Sequence, residues 1–143
     1  MEGGTGGARR VIVIDASTVI GAALKQGSNP WMVLVGIHEQ GRVAMSEPVA
    51  AEILEVLARP KFANVLPPWR QAEIARLLFS NAHWFTPDIR VEDCRDKRDN
   101  IYLELALAAN VTALVSSDKD LLVLHPWRGI PVLSATAFLA RPP

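Results

Sequence analysis

Three short runs of consecutive apolar, largely β-branched residues punctuate the chain, at 11–14, 112–115 and 130–133. Runs of this length without polar alternation predict strands buried on both faces, as in a parallel sheet. Residues 42–45 and 83–85 are shorter strand candidates. Between the runs, apolar positions recur at three- and four-residue spacing and predict helices over 17–25, 30–40, 48–58, 68–80, 99–109, 118–122 and 135–139. Strands thus alternate with helices, and right-handed crossovers then give an α/β fold: a three-layer α/β/α sandwich with a mostly parallel central sheet. The one long, charged connection is 86–98, expected as a surface loop. Residues 1–8, MEGGTGGA, hold four glycines and nothing to bury, so they are expected to be a mobile tail before a single domain over 9–143. Those glycines precede no GK[ST] and form no phosphate loop.

Composition narrows the function classes. Half of the 143 residues are apolar and 21% are charged, enough for a real core and too few charges for disorder. Fifteen basic residues balance fifteen acidic ones, so nucleic-acid binding would have to come from local patches. One cysteine, Cys94, and three scattered histidines exclude a disulfide framework and a structural zinc site. No apolar stretch approaches the roughly 20 residues of a membrane span, and the first residues lack the apolar core of a signal peptide. The expected location is cytoplasmic.

The chemistry lies in the acids. Asp15 directly follows the run 11–14, and Asp118 follows 112–115 after two serines. In an open parallel sheet ligands bind beyond the carboxyl ends of the strands, so neighbouring strands would bring both acids to one edge. Each also fits a helix N-cap. Glu52 borders the stripe formed by Val49, Ile53, Val56 and Leu57, where a carboxylate needs a partner, whereas Glu55 falls on the outer side. Asp96 and Asp99 precede a helix that is apolar nearly all round, and Asp99 is nearer to it. Gathered at one sheet edge, Asp15, Glu52, Asp99 and Asp118 would repel one another unless a hard cation such as Mg²⁺ or Mn²⁺ neutralised them. Such ions can activate water for attack on a phosphodiester without a nucleophilic side chain.

Four segments in this order carry a resemblance: VIVIDASTVIGAAL with Asp15, SEPVAAEILEVLARPKF with Glu52, CRDKRDNIYLELALAANVTALVSSDKDLL with Asp99 and Asp118, and the closing RGIPVLSATAFLA. Over nearly the whole chain the sequence resembles the PIN-domain ribonucleases, in particular the VapC-like toxins of toxin–antitoxin pairs. The resemblance implies an α/β/α sandwich and Mg²⁺- or Mn²⁺-dependent endonucleolytic cleavage of RNA. It implies Asp15, Glu52, Asp99 and Asp118 as metal ligands, directly or through water. Ser17, Asp96 and Asp120 would support those ligands, with helix capping an equal role for Asp120. Many relatives carry Asp-Thr-Asn where this chain has Asp15-Ala16-Ser17, a departure that removes no ligand. A homodimer and an antitoxin that blocks the cleft are also implied.

Arg59, Lys61, Arg98 and Lys119 flank the acidic motifs and are the candidates to meet RNA phosphates. Trp31, Trp69, Trp84 and Trp127 offer stacking surfaces for bases, although core or subunit packing accounts better for Trp31, Trp69 and Trp84. The three histidines form no constellation and read as structural. Three rivals stay open at this point: an RNA-processing nuclease without antitoxin, a non-catalytic module using the acidic pocket for a cation or protein contact, and a receiver domain, in which Glu52 would have no role.

Overall fold

Ile12, Val13 and Ile14 are consecutive and all buried, so the strand that carries them, β1 (Arg10–Ile14), is covered on both faces. It occupies the centre of a five-stranded sheet in this computed structural model, which describes residues 10–141. The tail expected over 1–8 lies outside the described residues. After β1 come α1 (Ala16–Leu24), α2 (Asn29–Gln40), β2 (Gly41–Met45), α3 (Glu47–Leu57), α4 (Pro68–Phe79), β3 (His83–Trp84), α5 (Asn100–Ala109), β4 (Ala113–Val115), α6 (Lys119–Leu122), β5 (Val132–Leu133) and α7 (Ala135–Ala140). The order across the sheet is β3-β2-β1-β4-β5 and every pairing is parallel. Helices cover both faces, giving the expected α/β/α sandwich.

The local chemistry explains the boundaries. Ser28, Ser46 and Ser134 cap α2, α3 and α7 by accepting from the backbone N–H of Trp31, Val49 and Ala137. Proline stands in the first turn of α2, α3 and α4, where its missing N–H costs no helical bond. Asn110 closes α5 in the left-handed conformation at φ 50°, which asparagine tolerates better than most residues. Tyr102, Leu103, Leu105 and Ala106 of α5 are all buried, as its nearly all-round apolar sequence requires.

Some expectations are corrected. Two single turns of 3₁₀ helix, Pro60–Phe62 and Lys97–Asp99, interrupt segments read as loop. The third apolar run forms a shorter strand than expected, because Ile130 exchanges two backbone hydrogen bonds with Trp127 across a turn in which Arg128 and Gly129 have φ of 48° and 82°. Those bonds take Ile130 out of the ladder with β4. Core packing does not hold for Trp69 and Trp84, which are 60% and 53% exposed, Trp84 stacking on Phe79. Trp127 is buried and donates its indole N–H to Asp93 at 2.8 Å. His125 does prove structural, its Nδ1 accepting from the Val132 N–H. Among the described residues no helix is long and apolar enough to cross a membrane.

Gly41 shows how tightly β1 and β2 join α2. A Cβ at this position would stand 2.6 Å from the Arg10 carbonyl oxygen and 2.7 Å from Ile37 Cδ1. The first neighbour is backbone in the central strand and cannot step aside. Gly41→Ala is therefore expected to destabilise the fold by about 1–3 kcal/mol, measured as a lower urea midpoint at unchanged m-value.

Candidate active site

Asp15 and Asp118 sit beyond the carboxyl ends of β1 and β4, which are neighbours in register from Ile12 opposite Ala113 to Ile14 opposite Val115. From β1 the chain builds the sheet first toward β2 and β3 and later toward β4 and β5, so a crevice opens between β1 and β4. Into it face side chains from four separate segments. The resulting open pocket has a volume of about 190 Å³ and is lined by Asp15, Ser17, Glu52, Asp96, Asp99, Tyr102 and Asp118, with Arg59 and Arg98 also in its wall.

Each acid is held differently. Asp15 is only 2% exposed and accepts hydrogen bonds from three donors, Ser17, Thr18 and Ser116. Its Oδ1 takes the Thr18 N–H at 3.0 Å, capping α1, and its Oδ2 takes the Ser116 hydroxyl at 2.6 Å. Ser17 Oγ lies 2.9 Å from both carboxylate oxygens and itself accepts from the Ser117 hydroxyl. Burial pushes the Asp15 carboxyl above its usual range, while the Ser116, Thr18 and Ser17 donors favour the charged form and work against that shift. Ser116 also accepts from the Asp118 N–H at 2.8 Å, so one hydroxyl ties the two strand ends together. Asp118 Oδ1 accepts from the Asp120 N–H and caps α6.

Asp99 stands at the start of α5 yet caps nothing with its side chain. It is 9% exposed, and its Oδ2 has no hydrogen-bond partner. Its pKa is pushed up to about 8, first by burial and then by the neighbouring Asp118 carboxyl, with Asp96 and Asp15 adding to the repulsion. Burial and this repulsion favour the protonated form of Asp99. Glu52, on α3, accepts a hydrogen bond of 2.5 Å from the Tyr102 hydroxyl. Asp96 caps the 3₁₀ turn through the Arg98 N–H and also pairs with the Arg98 guanidinium, which holds its carboxyl below the usual range. Arg59 makes a matching two-bond pair with Glu55.

This donor set fits a hard divalent cation in chemistry. All the side-chain donors are oxygens, several carboxylates crowd one pocket, and one buried oxygen lacks any partner. Among the described residues no group of three or more His, Cys, Asp or Glu side chains stands close enough together to hold one ion, so the acids share a pocket without forming a ligand cluster.

A profile of the PIN domain matches residues 11–120, well over half of the chain. The chain belongs to the PIN domain family. PIN domains are nucleases. The fold of this PIN domain is similar to that of a chain in the crystal structure of VapBC2 from Rickettsia felis bound to a DNA fragment from their promoter. The TM-score is 0.57 at 12% identity, over 85% of this chain and 96% of that one. No curated protein matches the sequence.

Of the residues singled out in the sequence of this PIN domain, Asp15, Glu52, Asp99, Asp118, Ser17 and Asp96 share the pocket, as do Arg59 and Arg98. Asp120 lies outside that lining and contributes its backbone N–H to Asp118. Lys61 and Lys119 are exposed, Lys61 lying over the Phe62 ring. Two residues went unnoticed. Ser116 was visible only as a spacer between a strand and an acid, and Tyr102 only as an apolar helix position; its placement three residues after Asp99, on the same helix face, was the available signal.

The raised pKa of Asp99 has a definite sign. A carboxyl whose folded-state pKa lies above its unfolded value of 3.8 supports the fold fully below that value, and this support is lost as pH rises through about 8. Thermal unfolding in EDTA from pH 4 to 9 should therefore show wild type losing stability with rising pH relative to Asp99→Asn. At pH 8.5 the variant is expected to melt a few degrees higher; parallel curves for the two proteins would refute the assignment.

Proposed function

We propose that this PIN domain is a metal-dependent endoribonuclease that hydrolyses RNA phosphodiesters, and the toxin of a toxin–antitoxin pair. The carrying observation is the convergence of Asp15, Glu52, Asp99 and Asp118, from four separate segments, on one pocket in which a buried Asp99 oxygen has no partner. These four carboxylates would hold Mg²⁺ or Mn²⁺, directly or through water. When bound, the cation neutralises the carboxylates, lowers the pKa of the attacking water and polarises the phosphodiester.

The chain's own groups prepare that chemistry. Asp15 is presented with fixed geometry, since Thr18, Ser17 and Ser116 hold both its oxygens. A bound cation would favour the charged form of Asp99, so metal binding is expected to strengthen as pH rises toward 8. Ser17 and Asp96 support the pocket wall. Arg59 and Arg98 stand beside the acids with their charges already paired, Arg59 to the exposed Glu55 and Arg98 to the half-buried Asp96, and can exchange those partners for backbone phosphates of RNA. Lys61 and Lys119 would extend the contact along the strand.

A cytoplasmic setting, a homodimer and a small antitoxin protein that covers the cleft complete the proposal. The toxin assignment is supported by the fold shared with a VapBC2 chain. Expression of the chain should arrest growth, and Asp15→Asn should relieve the arrest. An RNA-processing enzyme without antitoxin would instead be tolerated when expressed.

Cleavage of a structured-RNA panel is expected to require Mg²⁺ or Mn²⁺, stop in EDTA, and fall at least about 100-fold in Asp15→Asn and in Glu52→Gln, a loss of roughly 3 kcal/mol of transition-state stabilisation. Full activity in both variants would overturn the reading. With Asp15→Asn protein as the binding form, Arg59→Ala and Arg98→Ala should each weaken RNA affinity. Each should also lower the salt slope of binding by about one, measured by fluorescence anisotropy from 50 to 300 mM salt.

A further inference from the structure

Tyr102 is 1% exposed, and its hydroxyl joins three elements that carry the pocket acids. It donates to Glu52 Oε2 on α3 at 2.5 Å and accepts from the Ala16 N–H, next to Asp15, at 3.2 Å. The tyrosine itself lies in α5, one helical turn after Asp99. The direction of these bonds is forced. A phenol has one proton, the Ala16 N–H can only donate and an ionised carboxylate can only accept, so the proton belongs to the Glu52 bond. Ala16 N–H is among the first-turn donors that an α-helix cannot satisfy internally, and the phenol oxygen takes it up. Removing the hydroxyl would thus release a Glu52 oxygen and orphan a backbone donor beside Asp15.

We infer that Tyr102 is a positioning residue that engages one oxygen of Glu52 and leaves the other to serve the cation, an inference that rests on the metal-dependent reading above. A partner of this kind touches no substrate. It acts by restricting the carboxylate to one orientation, and loss of such partners commonly costs 10- to 100-fold in metal affinity.

The chain contains a single tyrosine, so protein labelled with ¹³C at the tyrosine ζ carbon gives one phenol resonance. Mg²⁺ is titrated into labelled wild type and labelled Glu52→Gln. In parallel, Mn²⁺ affinity is measured by electron paramagnetic resonance for wild type, Tyr102→Phe, Glu52→Gln and the double variant. The expected results are a Mg²⁺-dependent shift of the phenol resonance in wild type that is absent in Glu52→Gln, and about tenfold weaker Mn²⁺ binding in Tyr102→Phe. In the Glu52→Gln background the tyrosine substitution should change affinity less than about twofold, because the partner is already altered. A phenol resonance indifferent to Mg²⁺ in metal-binding wild type, or an equal loss of affinity in both backgrounds, overturns the inference while leaving the proposed function standing. Wild type that binds no Mn²⁺ overturns both. Should Tyr102→Phe fail to fold, the labelled wild-type and Glu52→Gln titrations decide by the same criterion.

Discussion

Parallel pairing of β1 with β4 is the constraint from which the rest of the molecule follows. Ile12–Ile14 and Ala113–Val115, the paired segments of those strands, are all buried, and their register brings Asp15 within one serine hydroxyl of the Asp118 backbone. A slip of one residue would turn every strand side chain to the opposite face, and the continuous apolar runs permit no gradual drift. The position of two acids is therefore set by the hydrophobic effect acting on residues that carry no chemistry. Glu52 and Asp99 are brought to the same place by α3 and α5, which pack against one another and are joined through Tyr102.

The pocket acids share a location but not an electrostatic condition. Asp15 is saturated with donors, Glu52 has a phenol, Asp96 an arginine, and Asp118 a backbone N–H, while Asp99 retains an oxygen that nothing satisfies. Burying charge in this way costs stability unless the group is paired, and a group tolerated in that state marks a place where folding and function compete. The protein concentrates the conflict on Asp99 and gives each of the other acids at least one hydrogen-bond donor.

Much of this was legible in the chain of letters. The three apolar runs predicted three of the five strands, and alternation with helices predicted the sandwich, because a strand buried on both faces has no polar positions to conceal it. The strand-end acids could be read for the same reason, and Arg59 and Arg98 by their nearness to acidic motifs. Sequence spacing was blind to partners far apart along the chain. Nothing local says that Tyr102 meets Glu52, 50 positions earlier, or that Ser116 meets Asp15, 101 positions earlier. Local pattern also misled for Ile130, which looks like strand but spends its backbone bonds on Trp127, and of the two readings of Trp69 and Trp84, core or subunit packing, exposure of both removes the first.

Both outer strands, β3 and β5, are two residues long. An edge so short presents few unpaired N–H and C=O groups, so the sheet offers almost no template on which a foreign strand could register. Lengthening the sheet by adding a strand from another chain is one of the commonest ways for proteins to recognise extended peptides. Here that route is nearly closed, which protects the fold from edge-to-edge aggregation. Among the described residues, recognition is then left chiefly to side-chain surfaces and the pocket mouth, where selectivity is written in shape and charge.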